Sequence, residues 1–179
     1  MKLKNYFKNL NKNFRNISFK GFEFNSQKIK KNYVFFAIQG NKFDGNNFIN
    51  DAIKKGAHVI ISNKFKTGIY KGTYYINVTD PRLVLSNFAN KYYNNKPNNI
   101  IAVTGTNGKS SIVNFYYQIL KLNKKKVASI GTLGVKSNGV SLKLNNTTVD
   151  AITINKILAN LKKKKIENVI LEASSHGLH

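Results

Sequence analysis

A chain of 179 residues can bury a real core and fits one large domain or two small ones. It contains no cysteine, which excludes disulfides and thiolate metal sites and points to a reducing compartment, the cytoplasm. The balance of 30 Lys+Arg against 7 Asp+Glu gives a formal charge of +23. The basic residues are nearly all lysines scattered among asparagines, with arginine only at Arg15 and Arg82, so no nucleic-acid partner is expected. The basic N-terminus has no continuous apolar stretch of the signal-peptide kind, and no segment is apolar enough to span a bilayer, so no membrane insertion is expected.

In chain order, a polar and weakly patterned start is followed by YVFFAI (33–38), a β-rich run closed by Gln39 and Gly40 that reads as a buried strand. NNFINDAIKKGA (46–57) places Phe48, Ile49, Ala52 and Ile53 at helical spacing, with Gly56 positioned to stop the helix. HVIIS (58–62) and TYYINV (73–78) are two further strands. DPRLVLSNFANKYYN (80–94) reads as a helix capped by Asp80, with Pro81 at its first position. The polar NNKPNN (94–99) is the expected linker. It divides the chain into domains at 1–97 and 98–179.

The pattern then restarts: IIAV (strand), a glycine loop, SIVNFYYQILKL (helix), KVASI (strand), a glycine-containing excursion, a helix from about Asp150 to Lys164, and NVILEA (strand). The lysine run 162–165 reads as a solvated helix end, where cations meet the negative pole of the dipole. This βαβ alternation predicts an α/β fold with a mostly parallel sheet and helices packed on it.

The loop between IIAV and its helix, TGTNGKSS, carries chemistry. A glycine loop leading from a buried strand into a helix N-terminus presents backbone N–H groups to an anion. Gly105 and Gly108 permit close approach of a phosphate, Lys109 can reach its outer oxygens, and the Ser110 hydroxyl can sit on Mg²⁺. The strict GxxxxGK[ST] pattern asks for glycine where this chain has Val103. A glycine turn without a ligand is the bland alternative, disfavoured because lysine and serine follow at the required offsets. Glu172 closes an apolar strand, where an open parallel sheet places its ligand crevice.

TGTNGKS after a strand, GTLG at 131–134, NTTVD at 146–150 and LEASSHGL at 171–178 together resemble the Mur ligases, and among them the tripeptide-forming MurE type. The segment NSQKIKKNYVFFAIQGNKFDGNNFINDAIKKGAHVII is similar to that family's uridine-binding domain, and the resemblance covers the chain from about residue 20. It implies a small α/β uridine-binding domain followed by the first part of a phosphate-loop central domain. The implied activity is an ATP-dependent amide ligase that adds a diamino acid, meso-diaminopimelate, to UDP-N-acetylmuramoyl-L-alanyl-D-glutamate through an acyl phosphate, with ATP as co-substrate and Mg²⁺ as cofactor. A monomer is expected.

By the same resemblance, Gly105, Thr106, Asn107, Gly108, Lys109, Ser110 and Ser111 hold the nucleotide, and Lys109 and Glu172 are catalytic. Ser110 and Glu172 bind the metal. Phe24, Ser26, Asn41, Lys42, Phe43, Asn146, Thr147, Thr148 and Ser174 contact the substrate, and His176 organises the site. The chain departs from the pattern at Asn25-Ser26-Gln27, where relatives have DSR, and at Val149, where many have proline.

The sequence ends before the family's later substrate and lysine motifs and its C-terminal domain, so a truncated, inactive chain is expected. An incomplete parallel sheet would leave an apolar edge and face uncovered. Other readings are an L-lysine-adding ligase, the enzyme adding the terminal dipeptide, a folylpolyglutamate-type ligase, a phosphate-loop binding module without ligase activity, and a basic nucleic-acid-binding protein.

Overall fold

In a computed structural model, residues 1–7, 10–40, 43–132, 134–137, 140–142 and 149–173 are described. The chain folds as two compact units, Met1–Lys91 and Tyr92–His179.

The first unit is built on a sheet of β1 (Gly21–Glu23), β2 (Tyr33–Phe36), β3 (Ala57–Ser62), β4 (Gly68–Tyr70) and β5 (Thr73–Asn77), in the order β1-β2-β3-β5-β4. All pairings are parallel except the β4–β5 hairpin. Helices α1 (Lys12–Arg15), α2 (Ile49–Lys54) and α3 (Pro81–Tyr92) complete it. Strand side chains alternate between faces, and the central strands are apolar on both, as a sheet covered on both sides requires. Phe35, Ala37 and Ile60 pack with Ile49 and Ala52 of α2. Phe36, pointing the other way, meets Phe88 of α3 at a ring separation of 5.4 Å. Phe22, Phe19 and Tyr6 close around the same Phe88, Tyr6 stacking at 4.2 Å.

Helix α3 begins as its sequence predicts. Asp80 Oδ1 accepts from the N–H groups of Arg82 and Leu83, at 2.8 and 3.0 Å, satisfying two donors that the first turn leaves unpaired. Helix α2 is shorter than its pattern suggests, because Gly45–Phe48 forms a 3-10 turn ahead of it. Gly56 ends the helical segment at φ 102°, a conformation that favours glycine.

The second unit has a sheet in the order β6-β10-β7-β8-β9. Its strands are β6 (Asn99–Val103), β7 (Val127–Gly131), β8 (Gly134–Ser137), β9 (Val140–Leu142) and β10 (Asn168–Glu172); its helices are α4 (Lys109–Leu122) and α5 (Ala151–Lys163). β6, β10 and β7 are parallel, and β8 and β9 add an antiparallel hairpin. The glycine-containing excursion is therefore in part sheet. Alternation again separates two faces. Ala128, Ile130, Val135, Val169 and Leu171 pack with Leu158 and Leu161 of α5. The opposite face carries Ser129, Gly131, Lys136 and Glu172 together with α4.

Asp150 caps α5 through Ile152 and Thr153 N–H, both at 2.9 Å. The segment 94–98 belongs to this second unit: Pro97 is buried and Lys96 Nζ donates to Asn155 Oδ1 on α5. Of the lysine run, Lys162 is not simply solvated, since it pairs with Glu167 at 2.7 Å and reaches Asn98. Lys162 is the main reason the Glu167 carboxyl titrates below its usual range.

Candidate active site

β6 delivers the chain into the 104–108 loop, and α4 leaves it. Gly105 and Gly108 have φ of 149° and 79°, and a Cβ at Gly108 would meet nothing within 4 Å. The loop therefore adopts a backbone that disfavours side chains while its surface at Gly108 stays open. The first N–H groups of α4 have no intrahelical acceptor, and the residue at the cap position, Gly108, has no side chain to supply one. Both longer helices elsewhere, α3 and α5, are capped by aspartate. A loop of this kind fits a phosphate group, with several N–H donors converging at the positive end of the helix dipole. The Lys109 ammonium lies over the loop, donating to the carbonyls of Gly105 and Thr106.

Glu172 is placed by register. It pairs with Val103, the last residue of β6, and the following N–H of Ala173 donates to the Val103 carbonyl at 2.9 Å. The carboxylate thus stands beside the start of the loop, at the C-terminal edge of the parallel strands. Thr132 fixes its orientation, donating from Oγ1 to Glu172 Oε2 at 2.9 Å. Gly131 makes room for it: a Cβ there would lie 2.7 Å from the Glu172 carboxyl. Ser110, Ser111, Val113 and Asn114 of α4 face Ser129, Gly131, Gly134, Lys136 and Glu172 across an open cleft of about 310 Å³.

Ser110 and Glu172 therefore share one cleft and offer hard oxygen donors, as Mg²⁺ requires. Among the described residues no cluster of three His, Cys, Asp or Glu could hold a metal unaided. Thr132, Ser129, Lys136 and Asn114 escaped the sequence reading; GTLG was noticed without a role for its threonine, because strand pairing brings Thr132 to Glu172.

In the first unit, Phe24 follows β1 and Phe43 follows β2, at the C-terminal ends of adjacent parallel strands. Both rings are solvent-accessible, Phe43 at 71%. Ser26 is different. Its hydroxyl is buried and donates to Asp51 Oδ2 at 2.7 Å, which fastens the 3-10 turn Ser26–Lys28 to α2. The turn is capped by Asn25, which accepts from the Gln27 N–H.

The loop bearing Phe43 is held by a Gln39–Asp44 bridge, by Arg82 donating to the Gln39 carbonyl, and by Gly45, where a Cβ would lie 2.6 Å from the Ile38 backbone. Asp44 accepts from Lys64 at 2.6 Å and from Asn46, which lowers its pKa to about 2. Asn41, Lys42, Asn146, Thr147, Thr148, Ser174 and His176 lie outside the described residues.

Comparison with known proteins identifies the family. The family described as Mur ligase middle domain matches residues 103–179, and that described as Mur ligase family, catalytic domain, matches residues 18–93. The chain belongs to the Mur ligase family. It is 45% identical over 175 residues to the UDP-N-acetylmuramoyl-L-alanyl-D-glutamate–2,6-diaminopimelate ligase of Rickettsia prowazekii (strain Madrid E), covering 95% of this chain and 36% of that protein. A ligase of the same name, numbered 2, from Clostridium acetobutylicum is 35% identical over 188 residues, covering 99% and 39%.

Among solved structures, one of a UDP-N-acetylmuramoyl-L-alanyl-D-glutamate–2,6-diaminopimelate ligase superposes with a TM-score of 0.72 at 28% identity, over 89% of this chain and 33% of that one. The MurF ligase of Thermotoga maritima in complex with ADP gives 0.57 at 26% identity, over 87% and 32%. The chain spans about a third of the length of these relatives. No helix among the described residues is long and apolar enough to cross a membrane.

Proposed function

We propose that this Mur ligase chain supplies the UDP-substrate domain and the ATP-gripping part of the central domain of a cytoplasmic amide ligase. The reaction is addition of 2,6-diaminopimelate to UDP-N-acetylmuramoyl-L-alanyl-D-glutamate, with ATP as co-substrate. The observation that carries this reading is that Ser110 and Glu172 line one cleft beside the glycine loop over which the Lys109 ammonium lies, on the scaffold of a parallel sheet. The names of the relatives favour 2,6-diaminopimelate over L-lysine as the added residue.

A carboxylate cannot expel oxide, so it must first be phosphorylated, and an amine can then displace phosphate from the acyl carbon. The first step brings two anions together and needs positive charge. In this reading the loop N–H groups and the Lys109 ammonium bind the outer phosphate oxygens of ATP. Ser110 and Glu172 would hold Mg²⁺, which when bound neutralises phosphate charge. Thr132 holds the Glu172 carboxylate in place, and Gly131 leaves space for it. Phe24 and Phe43 offer faces to a uracil ring, and Asn41, Lys42, Asn146, Thr147, Thr148 and Ser174 are proposed as further substrate contacts. The Ser26 hydroxyl, already donating to Asp51, contributes there as an acceptor or through its neighbours.

Isothermal titration of the chain with ATP and Mg²⁺ tests the reading. Binding should weaken at least tenfold in K109A, because a charge-assisted contact to phosphate is lost. An unchanged affinity in K109A, or none in the wild type, would show that the loop does not grip the nucleotide.

A further inference from the structure

Lys109 lies over the glycine loop, and a second lysine stands in the cleft itself. Lys136 of β8 lines it from the sheet side, while Ser110 and Ser111 line it from α4. Lys136 is the register partner of Ser129 on β7, so both side chains lie on the face that α4 covers. Ser129 is itself buried, 6% exposed, and it too lines the cleft. Glu172 shares the cleft, but its carboxylate is held by Thr132, and among the described residues it forms no ion pair with Lys136. A lysine beside a buried hydroxyl, on the wall opposite the phosphate-loop serines, is positioned to hold anionic oxygen.

We propose that Lys136, with the Ser129 hydroxyl beneath it, is a second anion-contacting position of the cleft, taking oxygens of the terminal phosphate or of the carboxylate that receives it. The assignment rests on the functional reading above, because transfer between two anions beside Glu172 is favoured by each further positive charge at the cleft. Arginine can replace the charge of Lys136 but not its size.

The test titrates wild type, K136Q, K136R and the distant control K126Q with Mg-ADP, Mg-ATP and the UDP-linked muramoyl dipeptide. In K136Q, weakening of about tenfold, or 1.4 kcal/mol, is expected for at least one anion, with K136R recovering most of it and K126Q behaving as wild type. Loss confined to ATP relative to ADP identifies the terminal phosphate as the partner; loss confined to the dipeptide identifies the carboxylate. Wild-type affinity of K136Q for all three ligands overturns the proposal while leaving the ligase reading intact. A wild-type chain that binds none of them overturns both. Equal losses in K126Q and K136Q reduce the effect to general surface charge and also overturn it.

Discussion

At the scale of single residues, hydrogen-bond partners separate polar groups that the sequence reads alike. Ser26 and Glu172 show the contrast. Both were read from the sequence as site residues; Ser26 is buried against Asp51, whereas Glu172 lines the cleft with one threonine orienting it. Asp44 ties Lys64 and Asn46 to the loop that carries Phe43.

Because Lys64 and the Asn46 N–H favour its ionised form, the Asp44 pKa falls from 3.8 to about 2 on folding. A depressed carboxylate contributes stability that is present in full above the unfolded value and is lost as pH falls toward the folded one. Acid titration followed by circular dichroism should therefore show the first unit losing stability between about pH 4 and pH 2. D44N should remove part of that slope and lower stability at neutral pH. Identical slopes in both proteins would mean that the Asp44 contacts are not maintained in solution.

Secondary-structure elements were legible in the sequence where periodicity was long and the ends were marked. Helices α3 and α5 begin where Asp80 and Asp150 can cap them. Replacing Asp150 with alanine removes the acceptor for two N–H groups and the partner of the Thr153 hydroxyl, and should destabilise the second unit by about 1 kcal/mol, measured by urea denaturation. D150N, which keeps an acceptor, should retain most of it. What escaped was short or edge-like: β1 and β4 have three residues each, too few for alternation to register, and the β8–β9 hairpin follows glycines that suggest a loop.

For the molecule as a whole, charge and apolar surface oppose each other. Ile112, Phe115, Ile119 and Leu122 form an exposed stripe along α4, and Leu122 is 81% exposed. Ile100 and Ile101 are exposed on β6, the edge strand of its sheet. The formal charge of +23 keeps copies apart at low ionic strength, and salt screens that repulsion without weakening apolar contact. Light scattering should therefore detect association of the wild type as salt rises from about 0.05 to 0.5 M, spanning Debye lengths well above and well below 10 Å. The double variant F115K/L122K should resist it and still bind ATP, since neither residue lines the cleft. Equal association in both proteins would exclude the stripe as the sticky surface.

The sequence by itself determined the α/β class, the Asp80 helix cap and the glycine loop ahead of α4, because each depends on residues close together in the chain: an apolar period, an aspartate at a helix start, glycines before a lysine. The tertiary structure decided the rest. β10 pairs with both β6 and β7, although it follows them by several elements, and this pairing sets Glu172 beside the loop and Thr132 against its carboxylate. The antiparallel pairing of β7 with β8 turns Lys136 and Ser129 to the same cleft. Such placements follow from strand order and register, which burial of both sheet faces fixes over long sequence separations and which no local pattern encodes.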